Sequence, residues 1–143
     1  MKVVVDSNVI FAALIRNGNT RKILLEREEK FLFPEYIFEE LRKHKDRLLE
    51  ESKINEKEFN ALFDSIMGKM QIVPTKDTLP FSEEALKIVK DLYLGDGPFF
   101  ACALAYPKSI IWSNDKRLKV QKTIPIITTE EILDLEKSHH NLY

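Results

Sequence analysis

The chain has 143 residues and a mass of 16.7 kDa, enough for one ordinary domain that buries roughly two thirds of its unfolded surface without staples. Its 22 cationic and 23 anionic residues leave a net charge of −1, which excludes the global basic field of a general polyanion binder; any nucleic-acid contact must be local. The single cysteine, Cys102, excludes an internal disulfide and a multi-cysteine zinc site, and no leader or apolar run of about 18 residues is visible, so the expectation is a cytoplasmic protein without a membrane partner.

The β-branched run Lys2 to Val5 is expected to form a strand buried on both faces, and Asn8 to Arg16 a helix after it. Thr20 to Glu29 continues as helix, Phe31 to Phe33 is a second strand, and Pro34 opens one long helix through "EYIFEELRKHKDRLLEES". Asn55 is the expected N-cap of the next helix, with Glu58 as its capping-box partner and Ile54 facing Phe59 as a staple, and the helix runs to about Met70. Gln71 to Val73 makes a third strand and Thr75 to Pro80 a loop, after which Ser82 caps a helix to about Tyr93. Pro98 to Ala105 is apolar around its whole circumference and predicts a buried helix, followed by a fourth strand over Ser109 to Trp112. Ile124 to Ile127 is the fifth strand; Thr128 and Glu131 box the last helix, which ends near Ser138 and leaves 139–143 as a flexible tail behind a single domain over 1–138. Strands alternating with helices imply an α/β three-layer sandwich around a parallel sheet, whose ligands bind at the carboxyl ends of the strands.

Acids stand at those ends. Asp6 follows the first strand and Asp115 the fourth, while Asp96 immediately precedes the buried helix. Each alone has an ordinary explanation: Asp6, Ser7 or Asn8 caps one helix, Asp96 caps another, and Ser113 to Asp115 is turn chemistry. In the helix after Pro34 the periodicity separates two adjacent acids. Ile37, Leu41 and Leu48 share a face, with Glu40 about 80° from its centre and Glu39 about 180° away, facing solvent. Were Asp6, Glu40, Asp96 and Asp115 to converge, their mutual repulsion would call for a cation. Oxygen donors without a histidine or cysteine cluster favour Mg²⁺ or Mn²⁺, as one ion or two, and such a site suits phosphodiester hydrolysis by an activated water.

In this order the motifs resemble the PIN domain family, metal-dependent ribonucleases that include the toxins of VapBC-type toxin–antitoxin pairs. "VVVDSNVIFAAL" is similar to the family's first acid followed by a small polar residue, through Asp6, Ser7 and Asn8; "PEYIFEEL" carries the second at Glu40. "DGPFFACALA" matches the third, at Asp96, and "WSNDKRL" the Ser-x-Asp turn of the fourth, with Ser113 and Asp115. The resemblance implies a five-stranded sheet in the order 3-2-1-4-5, Asp6, Glu40, Asp96 and Asp115 as catalytic metal ligands, and Ser7, Asn8 and Ser113 as supporting polar groups. It further implies endonucleolytic cleavage of RNA to 5′-phosphate and 3′-hydroxyl ends, a homodimer, and a small antitoxin as partner. A phosphatase using an aspartate after its first strand is a rival, disfavoured because position 8 is Asn8 rather than a second acid. A non-catalytic RNA- or protein-binding module on the same fold is another.

Arg42, Lys43, Lys116 and Arg117, with Lys45, Arg47, Lys119 and Lys122 nearby, are the candidates to hold an RNA backbone, against the simpler reading of charges facing water. His44 is expected to be packed or hydrogen-bonded on the apolar side of its helix. Cys102, Phe99, Phe100 and Trp112 read as core, Tyr36 and Phe38 as exposed aromatics suited to a partner, and Asp91 and Tyr93 fall outside the site.

Overall fold

Five short runs form strands: β1 (Val3–Val5), β2 (Phe31–Pro34), β3 (Met70–Val73), β4 (Ile110–Trp112) and β5 (Ile126–Ile127). In the computed structural model, which describes residues 2–141, they pair in parallel in the expected order β3-β2-β1-β4-β5. β1 lies in the middle because Val4 and Val5 have no solvent exposure and need cover on both faces. Helices α1 (Ser7–Ile15) and α2 (Asn19–Glu26) lead from β1 to β2, and α3 (Glu35–Lys43), α4 (Lys45–Ser52) and α5 (Glu56–Gly68) from β2 to β3. The chain returns to β4 through α6 (Thr75–Thr78), α7 (Ser82–Val89) and α8 (Gly97–Ala105), and closes with α9 (Thr129–Asn141) after β5. Right-handed crossovers running outward from β1 to β3 and then back to β4 place α1 to α5 on one face and α6 to α8 on the other. Packing agrees: α1 touches α2, α4 and α5, whereas α8 lies across β1, β2 and β4 and against α6 and α7.

The core follows the sequence closely. Phe99 to Ala103 of α8 are all buried, as an all-apolar helix requires, and Trp112 is fully enclosed with its ring 5.7 Å from that of Phe31. The Trp112 indole Nε1–H donates to Thr129 Oγ1 at 3.0 Å, which satisfies the one polar atom the ring takes into the core. Cys102 is enclosed too, its thiol pushed up to about 12 by burial, so it is an inert packing residue.

Several local expectations are corrected. The long helix after Pro34 is two helices that break at His44 (φ −101°, ψ 11°), because the apolar positions Leu41 and Leu48 have only His44 and Lys45 between them at helical spacing to tie the turn to the core. His44 itself is exposed rather than packed. Thr75 to Pro80 is not a loop: α6 forms a turn whose first amide, Thr75 N–H, donates to Glu35 Oε1 at 3.1 Å, a partner forty residues away that no local pattern reveals. A 3₁₀ turn over Leu79–Phe81 then runs directly into α7, so Ser82 lies inside the helix, its amide bonded to Leu79 O, and does not cap it; α7 ends at Val89, short of Tyr93. Phe38 is half-buried beneath the Arg42 guanidinium at 6.0 Å, while Tyr36 is exposed as expected. Helix α9 continues to Asn141, three residues beyond the expected end, and residues 142 and 143 of the expected tail lie outside the described residues.

One of the two expected capping boxes closes fully, and the other closes on one side only. Thr128 Oγ1 accepts from Glu131 N–H at 3.2 Å while Glu131 Oε1 accepts from Thr128 N–H at 3.0 Å, a reciprocal pair. Asn55 Oδ1 accepts from Glu58 N–H at 2.8 Å, but the return bond runs from Asn55 Nδ2 to Glu58 Oε1 at 3.0 Å, side chain to side chain. Asn55→Ala is therefore expected to cost about 1 kcal/mol in urea unfolding with an unchanged m-value. An unchanged midpoint would show that the cap contributes nothing.

Candidate active site at the strand ends

The strongest positional constraint is the level ending of β1 and β4, whose register pairs Val5 with Trp112. The ladder continues one step further, Asp6 N–H donating to Trp112 O at 3.0 Å, so Asp6 and Ser113 leave the sheet side by side. Ser113 Oγ donates to Asp6 Oδ2 at 2.7 Å and accepts from Asp115 N–H at 3.1 Å, linking the first acid to the backbone of the last. Asn8 Nδ2 donates to Asp6 Oδ2 and to Ser113 Oγ, both at 3.2 Å; Ser7 Oγ sits at 3.5 Å from Asp6 Oδ1. Among the described residues no buried side-chain nitrogen or oxygen lacks a hydrogen-bond partner. A network satisfied in this way fixes its members.

Helix capping now separates the acids. Asp6 stands at the N-cap of α1 and Asp96 at that of α8, yet neither carboxylate makes a side-chain capping bond. Asp115 does cap, accepting from Arg117 N–H at 3.0 Å at the head of a 3₁₀ turn over Lys116–Val120. The ordinary explanation therefore accounts for Asp115 and leaves Asp6 and Asp96 without a side-chain capping bond. Asp6 is 4% exposed. Burial raises its pKa, the Ser113 hydroxyl and, to a smaller degree, the amides of Asn8 and Ser7 oppose that, and the charge of Asp115 adds to the rise. Asp96 is pushed up to about 6, first by burial and then by the charges of Asp6 and Asp115, with Arg117 counteracting. Asp115 is held below the ordinary carboxylate value, chiefly by the Arg117 side chain. Asp6, Asp96 and Asp115 thus share one electrostatic environment.

Glu40 is placed differently. It is half-buried at the margin of α3, its side chain 39% exposed against 57% for Glu39, which agrees in direction with the periodicity. Its carboxylate pairs with Lys43 Nζ at 3.2 Å, and the charges acting on the three aspartates are one another's and Arg117's, not its own. The basic residues are mostly engaged on the surface. Arg42 pairs with Glu39 at 3.9 Å, Arg47 with Glu51 at 3.7 Å, Lys45 lies 5.1 Å over the Phe63 ring, and Lys116 is exposed. Arg117 is the exception: its guanidinium forks onto Asp115, inside the acid site.

Asn114 escaped the sequence reading. Its N–H donates to Asn8 Oδ1 at 3.4 Å and its Oδ1 accepts from Thr129 N–H at 2.9 Å, so it ties the acid network to the start of α9. The only signal was its place between Ser113 and Asp115 in a turn; the partner at Thr129 is a tertiary fact. Asp91 and Tyr93 are exposed, and the Tyr93 ring lies over Gly95, where an added Cβ would clash with it.

A family profile described as the PIN domain matches residues 4–136, nearly the whole chain. The chain belongs to the PIN domain family. No curated protein matches it significantly. PIN domains are generally nucleases and generally use divalent metal ions, so the family places this chain among hydrolases in general. No helix among the described residues is long and apolar enough to cross a membrane.

The residues present fit a hard divalent cation in donor type and in charge. The groups around Asp6 offer carboxylate, hydroxyl and amide oxygens, and the carboxylates repel one another with a single guanidinium to offset them. Among the described residues no three His, Cys, Asp or Glu side chains stand together as a ready-made cage. That is compatible with Mg²⁺, which takes one or two carboxylates and keeps several waters.

The raised pKa of Asp96 has a consequence for the metal-free PIN domain. Its carboxyl titrates near 3.8 when unfolded and at about 6 when folded, so between those values the folded chain holds a proton that the unfolded chain has lost, and stability falls as pH rises through that window. Asp6 acts in the same direction, whereas the lowered pKa of Asp115 acts below 3.8. Asp96→Asn, measured by urea unfolding in EDTA, is expected to match the wild type near the bottom of the window and to be the more stable protein above about 6. A stability difference that does not change with pH would contradict this.

Proposed function

We propose that this PIN domain is a metal-dependent endoribonuclease whose cleft is built on Asp6, Asp96 and Asp115, with Glu40 at its margin. The observation that carries the reading is that two buried or half-buried aspartates, Asp6 and Asp96, make no side-chain capping bond and repel each other beside the carboxyl ends of a parallel sheet. Retaining such charges costs stability, and a substrate site is the usual reason for keeping them. Bound Mg²⁺ or Mn²⁺ would supply an activated water and neutralise charge on the phosphoryl oxygens.

The chain's own residues divide the remaining work. Asp6 and Asp96 are the leading ligands, Asp6 held rigidly by Ser113 and Asn8 and Asp96 carried on the N-terminus of α8. Asn8 and Ser113 fix which Asp6 oxygen faces the cleft, because both donate to Oδ2 and leave Oδ1 with only the long contact to Ser7. Without a cation Asp96 carries a proton more readily than an ordinary carboxyl, which lowers the repulsion in the empty cleft. Glu40 must give up Lys43 to reach a ligand or a water, and it is assigned the outer position for that reason. The products are expected to carry 5′-phosphate and 3′-hydroxyl ends; the antitoxin partner and the homodimer stay expectations of the resemblance.

The test is cleavage of a labelled single-stranded RNA in Mn²⁺, with EDTA, Asp6→Asn, Asp96→Asn and Ser113→Ala as arms. Ser113→Ala is expected to lose about 10- to 100-fold, the usual effect of removing a group that orients a ligand, and the two aspartate variants more than that. Cleavage that survives EDTA and both aspartate variants would sink the metal mechanism. An inactive wild type would favour a binding module, and equal cleavage of DNA would overturn the restriction to RNA.

A further inference from the structure

The acid site holds a cation already, and it belongs to the chain. Arg117 donates Nε–H to Asp115 Oδ1 at 3.0 Å and Nη2–H to Asp115 Oδ2 at 2.8 Å, while its backbone N–H donates to Oδ1 at 3.0 Å. The fork fills both carboxylate oxygens in the plane where a metal would bind. Its side chain is 80% exposed and its guanidinium makes no other hydrogen bond among the described residues, whereas the Asp115 side chain is only 22% exposed. The same guanidinium acts on Asp96, the charge it opposes there being that of Asp6 and Asp115. By contrast, Lys43, Arg42 and Arg47 are paired with surface carboxylates of their own helices.

We infer that Arg117 is the resident counter-ion of the acid site, exchanging places with the divalent cation at Asp115 and then turning its freed fork to the phosphodiester. The inference rests on the proposed metal-dependent reading. Charge makes the exchange favourable. Three carboxylates against one guanidinium leave two negative charges, which draw a divalent cation; a cation at Asp115 displaces the guanidinium from that carboxylate and leaves its fork free for the phosphodiester. An exposed ion pair is held weakly enough to be given up, and a planar fork fits a phosphate as well as it fits a carboxylate. Arg117 is in this sense a positioning residue for Asp115 in the free protein and an RNA contact in the loaded one. It also gives a reason for the absence, among the described residues, of a ready-made three-acid cage: Asp115 is turned to its neighbour two residues on.

The measurement is Mn²⁺ affinity, read as free Mn²⁺ by electron paramagnetic resonance at low salt, for wild type, Arg117→Ala, Arg117→Lys and Asp6→Asn, beside RNA affinity of the same proteins. Arg117→Ala is expected to bind Mn²⁺ about two- to fivefold more tightly, the scale of one exposed ion pair, and to bind RNA more weakly. Arg117→Lys, which keeps the charge but not the fork, should fall between on both counts. A purely structural role would not move the two affinities in opposite directions. Thermal melts check folding, and both variants retain the buried network. Mn²⁺ affinity that is unchanged or weaker in Arg117→Ala, with binding still lost in Asp6→Asn, overturns the exchange alone. Wild type that binds no Mn²⁺ at millimolar concentration overturns the metal-centred reading and the exchange with it.

Discussion

Everything in the site hangs on the pairing of β1 with β4. Because Val5 and Trp112 are in register, the two strands end level, and one further ladder bond from Asp6 N–H to Trp112 O carries the order past the last valine. That single continuation sets Asp6 beside Ser113, and the short bond between them fixes both. Parallel strands have no tight hairpin to hold their ends, so the position of each end depends on what the crossover elements bury. Here α8 packs across β1, and the central strand has no exposed side chain that would let it slip a residue. A one-residue slip would point Asp6 into a helix-packed face.

The same scaffold explains why the acids are tolerable. Asp6 is taken out of water, but three side chains turn their donors to it, so the cost is partly met locally. Asp96 has no such help and carries the strain of the site in its raised pKa. Asp115 is relieved by Arg117. The three aspartates thus stand in graded environments: one satisfied by hydrogen bonds, one only partly offset by Arg117 and one paired. A PIN domain with this arrangement is set to accept positive charge, and the least relieved carboxylate is where that charge would matter most.

Much of this was legible in the chain. The parallel sheet, the buried α8, the Thr128 capping box, and the strand-end positions of Asp6 and Asp115 follow from β-branched runs, periodicity and cap residues, because in these segments local preference and tertiary burial agree, whereas the strand order comes from the resemblance to the PIN domain. Sequence reasoning failed where they do not. The break at His44 and the helical turn at Thr75 depend on missing core contacts and on Glu35, a distant partner. Asn114 looked like turn punctuation until Thr129 appeared beside it. The grading of the acids was equally hidden: all four are expected as ligands of one site, and only their neighbours separate Asp6 and Asp96 from Glu40, whose partner Lys43 is a turn away on the same helix.

The central claim is that the repulsion among Asp6, Asp96 and Asp115 marks the place of a divalent cation. Anomalous diffraction at the manganese edge from crystals soaked in Mn²⁺ tests it most directly. The expected result is a peak bonded to the carboxylates of Asp6 and Asp96 and, with the Arg117 fork withdrawn, to that of Asp115. A peak at Glu40 alone, or none at the strand ends of a well-ordered crystal, would contradict it.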